Sequence, residues 1–250
     1  MGILLSLLLF LLSPLYANEP SLVVYAELNE VDSRLVQTPD GNRVEGVASE
    51  LVRQLLASRG YRADIRVVPW ARLMQNLESE PNVLGMNMTR TPEREQRFHW
   101  LGEIRPVTFK LWGLRDRLHE LPRTLDDASS FRISSYRNDV VEQHLLSKGF
   151  SNLVYISDNF NSFAMLQRGR IDLASFSDLE MQGYIAQASE LGGLIAPVVD
   201  LEEISTAQFL VMSKNSDTDL VHTLDSAFKD LIRSGEHQRI LNGSGSSGAE

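Results

Sequence analysis

Apolar and polar positions along this chain alternate between two periods, and each change of period marks an element. Leu22 to Ala26 is a short apolar run of the kind that forms a buried strand. From Gly46 to Arg59 the apolar positions are Val47, Ala48, Leu51, Val52, Leu55 and Leu56, one face of a helix that Gly60 stops. Ala63 to Val68 alternates as a strand. After Pro69, the residues Trp70, Leu73, Met74 and Leu77 recur at i, i+3, i+4 and i+7, so a second helix is expected, and Val83 to Met86 reads as the next strand. This β-α-β-α-β order with short connections predicts a mostly parallel sheet with helices on its faces.

A similar series follows. Val107 to Leu114 is a longer extended run rich in β-formers, and the charged stretch Arg115 to Leu125, with Pro122, reads as a crossing between lobes. Phe131 to Ser134 is the next strand, Asn138 to Lys148 a helix closed by Gly149, and Leu153 to Ile156 a strand. Phe160 to Gln167 is a helix closed by Gly169, and Ile171 to Phe176 a strand running into Asp178, with a helix behind it. Phe209 to Ser213 reads as a strand returning to the first lobe. Leu220 to Arg233 is a long amphipathic helix, followed by a shorter piece from Glu236 to Leu241. The pattern therefore predicts an α/β protein of two lobes: residues 18–108 with 205–242, and residues 109–204. The Gly/Ser-rich stretch 243–250 is expected to be disordered.

The start of the chain adds a destination. Gly2 to Leu15 is almost wholly apolar and Leu15-Tyr16-Ala17 has the small-residue pattern of a cleavage site, so residues 1–17 read as a signal peptide, although no Lys or Arg precedes the apolar run. The run is short for a membrane span of about 20 residues. The chain has no cysteine, which excludes disulfides, thiolate metal sites and an N-terminal lipid anchor. An exported protein without an anchor suits a periplasm. A net charge of −9 argues against nucleic acid and anionic membrane surfaces as partners.

Ligands of two-lobed α/β proteins sit in the cleft at the carboxyl ends of the strands, so residues just after strands carry the chemistry. In the first lobe these are Glu27, Trp70, Asn87, Thr89, Arg90 and Arg94; in the second they are Ser135 to Asn138, Ser177 and Asp178. The stretch Asn87 to Glu95 is the most informative. It offers Thr91 as a helix N-cap, Pro92 at the first helical position, and arginines close to a strand end. Arg94 suits a bidentate carboxylate clamp, Arg90 is the rival donor, and a surface arginine paired with Glu93, Glu95 or Glu103 is the plainer alternative. Trp70 can stack on a ligand or serve as the first core residue of its helix. Asn138 is a fair helix N-cap whose following N–H groups can meet an anion, and Asp178 suits an ammonium group or a helix start. The five histidines show no metal-ligand spacing, and no GxSxG, Walker A or GxGxxG motif is present, so no metal or cofactor is expected.

Taken together, Thr89-Arg90-Thr91-Pro92-Glu93-Arg94-Glu95 followed by Phe98-His99-Trp100 resembles the "T-x-E-R…F" segment of the extracellular solute-binding proteins of family 3, the substrate-binding components of amino-acid ABC transporters. Pro69-Trp70-Ala71-Arg72 and Gly169-Arg170-Ile171-Asp172 through Asp178 support it, and the likeness runs from about Ser21 to Leu241. The resemblance implies a type II periplasmic-binding fold, two Rossmann-like lobes joined by a two-strand hinge, closing on a ligand. It implies that Arg94 holds an α-carboxylate, that Asn87 and Thr89 assist, that Asp178 takes an α-ammonium, and that Arg137 and Asn138 meet the carboxylate from the second lobe. Its partners would be a small amino or organic acid and a transporter permease or membrane sensor, with the protein a monomer. At Tyr136 the family has a small residue, and a tyrosine there narrows the cleft. The family also includes periplasmic cyclohexadienyl dehydratases; on that alternative Glu27, Glu180 or Asp178 would be the acid or base.

Overall fold

The computed structural model describes residues 19–28, 31–39, 41–156 and 159–243. The expected signal segment 1–17 lies outside them, as does all of the expected tail beyond Gly243, which itself ends the last helix.

The chain begins with β1 (Ser21–Ala26), a hairpin of β2 (Arg34–Thr38) and β3 (Gly41–Glu45), α1 (Val47–Ala57), β4 (Arg62–Val67), α2 (Trp70–Ser79), β5 (Leu84–Thr89) and β6 (Phe98–Pro106). It continues through β7 (Phe109–Leu114), β8 (Ile133–Ser135), α3 (Val140–Ser147), β9 (Leu153–Tyr155), α4 (Asn159–Gln167), β10 (Leu173–Ser177), α5 (Asp178–Gln187), α6 (Glu190–Leu194) and β11 (Ile195–Asp200). It finishes with β12 (Ala207–Ser213), α7 (Thr218–Arg233) and α8 (Glu236–Gly243).

These strands build two five-stranded sheets. The first has the order β4-β1-β5-β12-β6, with β1 parallel to β4 and β5 and with β12 antiparallel to β5 and β6. The second has the order β11-β7-β10-β8-β9, parallel from β10 to β9 and antiparallel at β7 and β11. The expected parallel sheets are thus present, each extended by antiparallel strands on one side.

Helix α1 forms because its apolar residues share one face, and Leu51, Val52, Leu55 and Leu56 are fully buried against Val24, Leu84 and Met86 of the sheet. Burial on this scale contributes about 1.5–3 kcal/mol for each large apolar side chain. Helix α7 packs so closely on β6 that a Cβ at Gly102 would lie 2.2 Å from the Phe228 ring. The second lobe has its own cores, one around Leu111, Ile133, Val141 and Leu145 and another around Phe163, Leu166, Ile171 and Phe176.

The chain passes between the sheets twice, at residues 107–108 and 201–206, and the two passages are bonded together. Val107 N donates to the Thr206 carbonyl at 3.3 Å, Leu201 N to the Phe109 carbonyl at 2.9 Å, and Phe109 N to Ser205 Oγ at 2.8 Å. The stretch Arg115 to Leu125 is not such a passage. It stays with the second lobe, where Leu121 is buried in the core. Its charge reflects exposed short helical turns.

Three strand regions escaped the sequence pattern: the β2–β3 hairpin, β6 and β11. The hairpin is mostly exposed on both faces, so no period shows. β6 and β11 are edge strands, where Glu103, Arg105 and Pro197 are tolerated because one side of the ladder faces away from the sheet. The helix expected from Pro92 is also absent. Residues 92–97 form successive tight turns, with Arg94 N bonded to the Thr91 carbonyl and Arg97 N to the Arg94 carbonyl, both at 3.0 Å. Strand β6 begins at Phe98, which leaves the segment too short for i→i−4 bonding to become established.

Candidate functional site

A cavity of about 60 Å³ lies between the lobes, at the carboxyl ends of β1 and β5. On the first-lobe side it is lined by Glu27, Trp70, Asn87, Thr89, Arg94 and Gln208. On the other it is lined by Phe109, Tyr136, Asp139, Ser175, Phe176 and Glu180. The strand geometry explains the selection, because β1 and β5 are neighbours in the first sheet and deliver their terminal residues to one place.

Arg94 is fully buried, although it is an arginine in a turn. Its Nη1 donates to the Thr89 carbonyl at 3.2 Å and its Nη2 to the Asn138 carbonyl of the other lobe at 3.0 Å. Its Nε is buried with no partner. The Trp70 ring lies 5.2 Å from the guanidinium carbon, and Trp70 Nε1 donates to the same Asn138 carbonyl at 3.2 Å. Trp70 is packed in the core with Leu73, Met74 and Leu77, as one of its two readings has it, and it also lines the cavity. Burial pulls the Arg94 pKa down, while the Asp139 charge opposes that shift.

Asn138 accepts these bonds because of its backbone. Its φ of 59° is left-handed, which Asn tolerates better than most residues. The helix N-cap expected at Asn138 is instead Asp139, whose side chain accepts from Val140 N at 2.6 Å. Asn87 is left-handed too, at φ 61°, where the register between β5 and β12 shifts as in a β-bulge.

Three carboxylates, Glu27, Asp139 and Glu180, line the cavity with Arg94. The Glu180 carboxylate accepts from Ser177 N at 2.8 Å and from Ser177 Oγ at 2.7 Å, completing a capping box on α5. Burial raises the Asp139 pKa, with Arg94 opposing. Glu27 is shifted well above the ordinary glutamate value, by burial first and then by the charges of Glu180 and Asp139, against the Trp70 backbone N–H. Among the described residues Arg94 is the only Lys or Arg in the lining.

The remaining expected residues lie elsewhere. Arg90 is exposed and holds Glu95 at 2.6 Å, so the surface-pair reading once open for Arg94 describes Arg90. Arg137 is exposed, with its guanidinium carbon 3.8 Å from the Tyr155 ring centre. Asp178 does not line the cavity; Thr108 Oγ1 donates to its carboxylate, and Lys110 Nζ lies 3.5 Å away. Asn138 contributes its carbonyl and not its side chain. Gln208 and Phe109 were not singled out by sequence reasoning. Phe109 is the first residue after one passage between the sheets and Gln208 the second residue after the other, and that position was the available signal.

Two five-stranded α/β sheets with a cleft between them define the type II periplasmic-binding fold. The sequence model of the bacterial extracellular solute-binding proteins, family 3, matches residues 35–243, and the chain belongs to that family. Among curated relatives it is similar to the arginine-binding extracellular protein ArtP of Bacillus subtilis, 21% identical over 213 residues, covering 84% of this chain and 81% of ArtP. Among solved structures it resembles an amino acid ABC transporter substrate-binding protein from Streptococcus pneumoniae bound to L-arginine. There the TM-score is 0.75 at 19% identity, covering 90% of this chain and 94% of that one. It also resembles a histidine kinase sensor domain similar to periplasmic binding proteins, with a TM-score of 0.73 at 17% identity over 89% of this chain and 95% of that one. At these identities the structural likeness is one of fold.

Proposed function

We propose that this solute-binding protein captures an α-amino acid with a cationic side chain in the cavity between its lobes. The observation that carries this is the composition of the cavity: one fully buried guanidinium with an unpartnered Nε, and three carboxylates. The ligand carboxylate meets Arg94, with Thr89 beside it. The side-chain cation meets Glu27, Asp139 and Glu180. That relatives of this fold are described as arginine-binding supports the same reading. Residues 18–108 with 205–242 form one lobe and 109–204 the other, hinged at the paired passages, so closure brings Asn138 onto Arg94 and Trp70.

The protein is a monomer exported through its N-terminal segment to the periplasm, and no helix among the described residues is long and apolar enough to cross a membrane. It delivers ligand to a transporter permease and catalyses no reaction, a reading supported by relatives that are described as binding proteins. A sensory role uses the same closure, and the likeness to a kinase sensor domain favours testing it. Calorimetry against the common amino acids tests the proposal. Binding of arginine, lysine or ornithine ahead of neutral and acidic amino acids is expected, and a preference for an acidic ligand would overturn it.

A further inference from the structure

Three side chains on the first-lobe wall carry a buried polar atom with no hydrogen-bond partner: Arg94 Nε, Asn87 Oδ1 and Gln208 Oε1. All three residues line the cavity. Gln208 is paired in register with Thr89, whose carbonyl holds Arg94 Nη1, and Asn87 lies two residues from Thr89 on the same strand. The three orphans, one donor and two acceptors, therefore belong to residues of a single cavity wall. Leaving a buried polar group unpaired is costly, so such atoms mark where a ligand group supplies the missing bond.

We propose that Gln208, together with Asn87, binds the α-ammonium of the ligand, and that Asp178 does not. A carboxylate on Arg94 Nε with an ammonium on the adjacent carbon satisfies the donor and both acceptors at once. Asp178 lies outside the cavity lining and is already engaged by Thr108 and Lys110. Gln208 also lies on the strand that directly follows the second passage between the sheets, so a bond to it ties the ligand head group to the hinge end of the cleft.

This assignment rests on the amino-acid reading above, and the test separates the two. Affinities for L-arginine and for its des-amino analogue 5-guanidinopentanoate are measured by calorimetry on the full chain. Wild type is expected to prefer arginine. Gln208→Met, which keeps length and removes both amide atoms, should reduce that preference about tenfold or more by weakening arginine alone. Gln208→Glu, which retains an acceptor oxygen, should keep the preference, and so should Asp178→Asn. The assignment is overturned if Gln208→Met weakens both ligands equally or neither, if Gln208→Glu behaves as Gln208→Met does, or if Asp178→Asn abolishes the preference. Wild type that binds neither compound would overturn the amino-acid reading itself and this assignment with it.

Discussion

Arg94 of the first lobe donates from Nη2 to the main-chain carbonyl of Asn138 in the second, 3.0 Å away. The guanidinium that faces the cavity is therefore also a fastener between the lobes. Trp70 Nε1 shares the same acceptor, so three residues form one contact across the cleft. Ligand recognition and closure draw on the same side chain, and a change at Arg94 affects both.

Replacing Arg94 with alanine should cost on the order of 2–5 kcal/mol of ligand affinity, because a desolvated charged donor is lost. Arg90→Ala should cost under about 1 kcal/mol, since Arg90 is exposed and its bond to Glu95 is a surface pair. Calorimetry on both variants decides between them. An equal loss in both would remove Arg94 from its central place.

Trp70→Phe keeps an aromatic ring near Arg94 and removes the N–H donated to Asn138 together with part of the buried indole. The expected loss in ligand affinity is at least about 0.5–1.5 kcal/mol, the net worth of one hydrogen bond, with a fall in thermal midpoint from the smaller buried ring. Small-angle scattering of the variant with ligand should show a less completely closed population than wild type.

Burial and the charges of Glu180 and Asp139 raise the folded-state pKa of Glu27 above the ordinary 4.5. The folded state then binds more protons than the unfolded one. The Glu27 contribution to stability is full below the unfolded value and is lost as pH rises through the folded value. Glu27→Gln should therefore flatten the fall in thermal midpoint as pH rises above the ordinary glutamate value, and raise the midpoint at the upper end. A cationic ligand selects the ionised carboxylate, so its affinity should rise with pH above the ordinary glutamate value, read by calorimetry. Identical melting profiles of variant and wild type across that range would count against the shift.

Gly46 precedes α1 at φ 128° and ψ 171°, and a Cβ there would lie 2.4 Å from the Asp32 carbonyl carbon. That conformation is open essentially to glycine alone, and strain of this kind costs of order 1–3 kcal/mol. Gly46→Ala should lower the thermal midpoint by roughly 2–12 °C for a chain of this size. Ligand affinity measured well below the midpoint should stay near that of wild type, because Gly46 does not line the cavity.

Much of the fold was legible from the chain alone. The faces of α1, α2 and α7 and the strands β1, β5 and β10 follow from apolar spacing, which depends only on local periodicity. From those strand ends it was possible to name Glu27, Trp70, Asn87, Thr89 and Arg94, all of which line the cavity. The edge strands β6 and β11 were not legible, because an edge position relaxes the demand for apolar residues that makes a strand visible.

The choice between Arg90 and Arg94 had no local answer. Both follow the same strand in a polar segment, and nothing in the spacing distinguishes them. One is buried because the turns 92–97 carry it under Trp70 and because a carbonyl 44 residues away accepts its Nη2. Gln208 reaches the cavity because β12 lies beside β5, and Asp178 is held outside it by Thr108 and Lys110. Periodicity records which face of an element is buried. Which side chain meets which across the cleft depends on contacts between residues far apart in the chain, and those exist only once both lobes are packed.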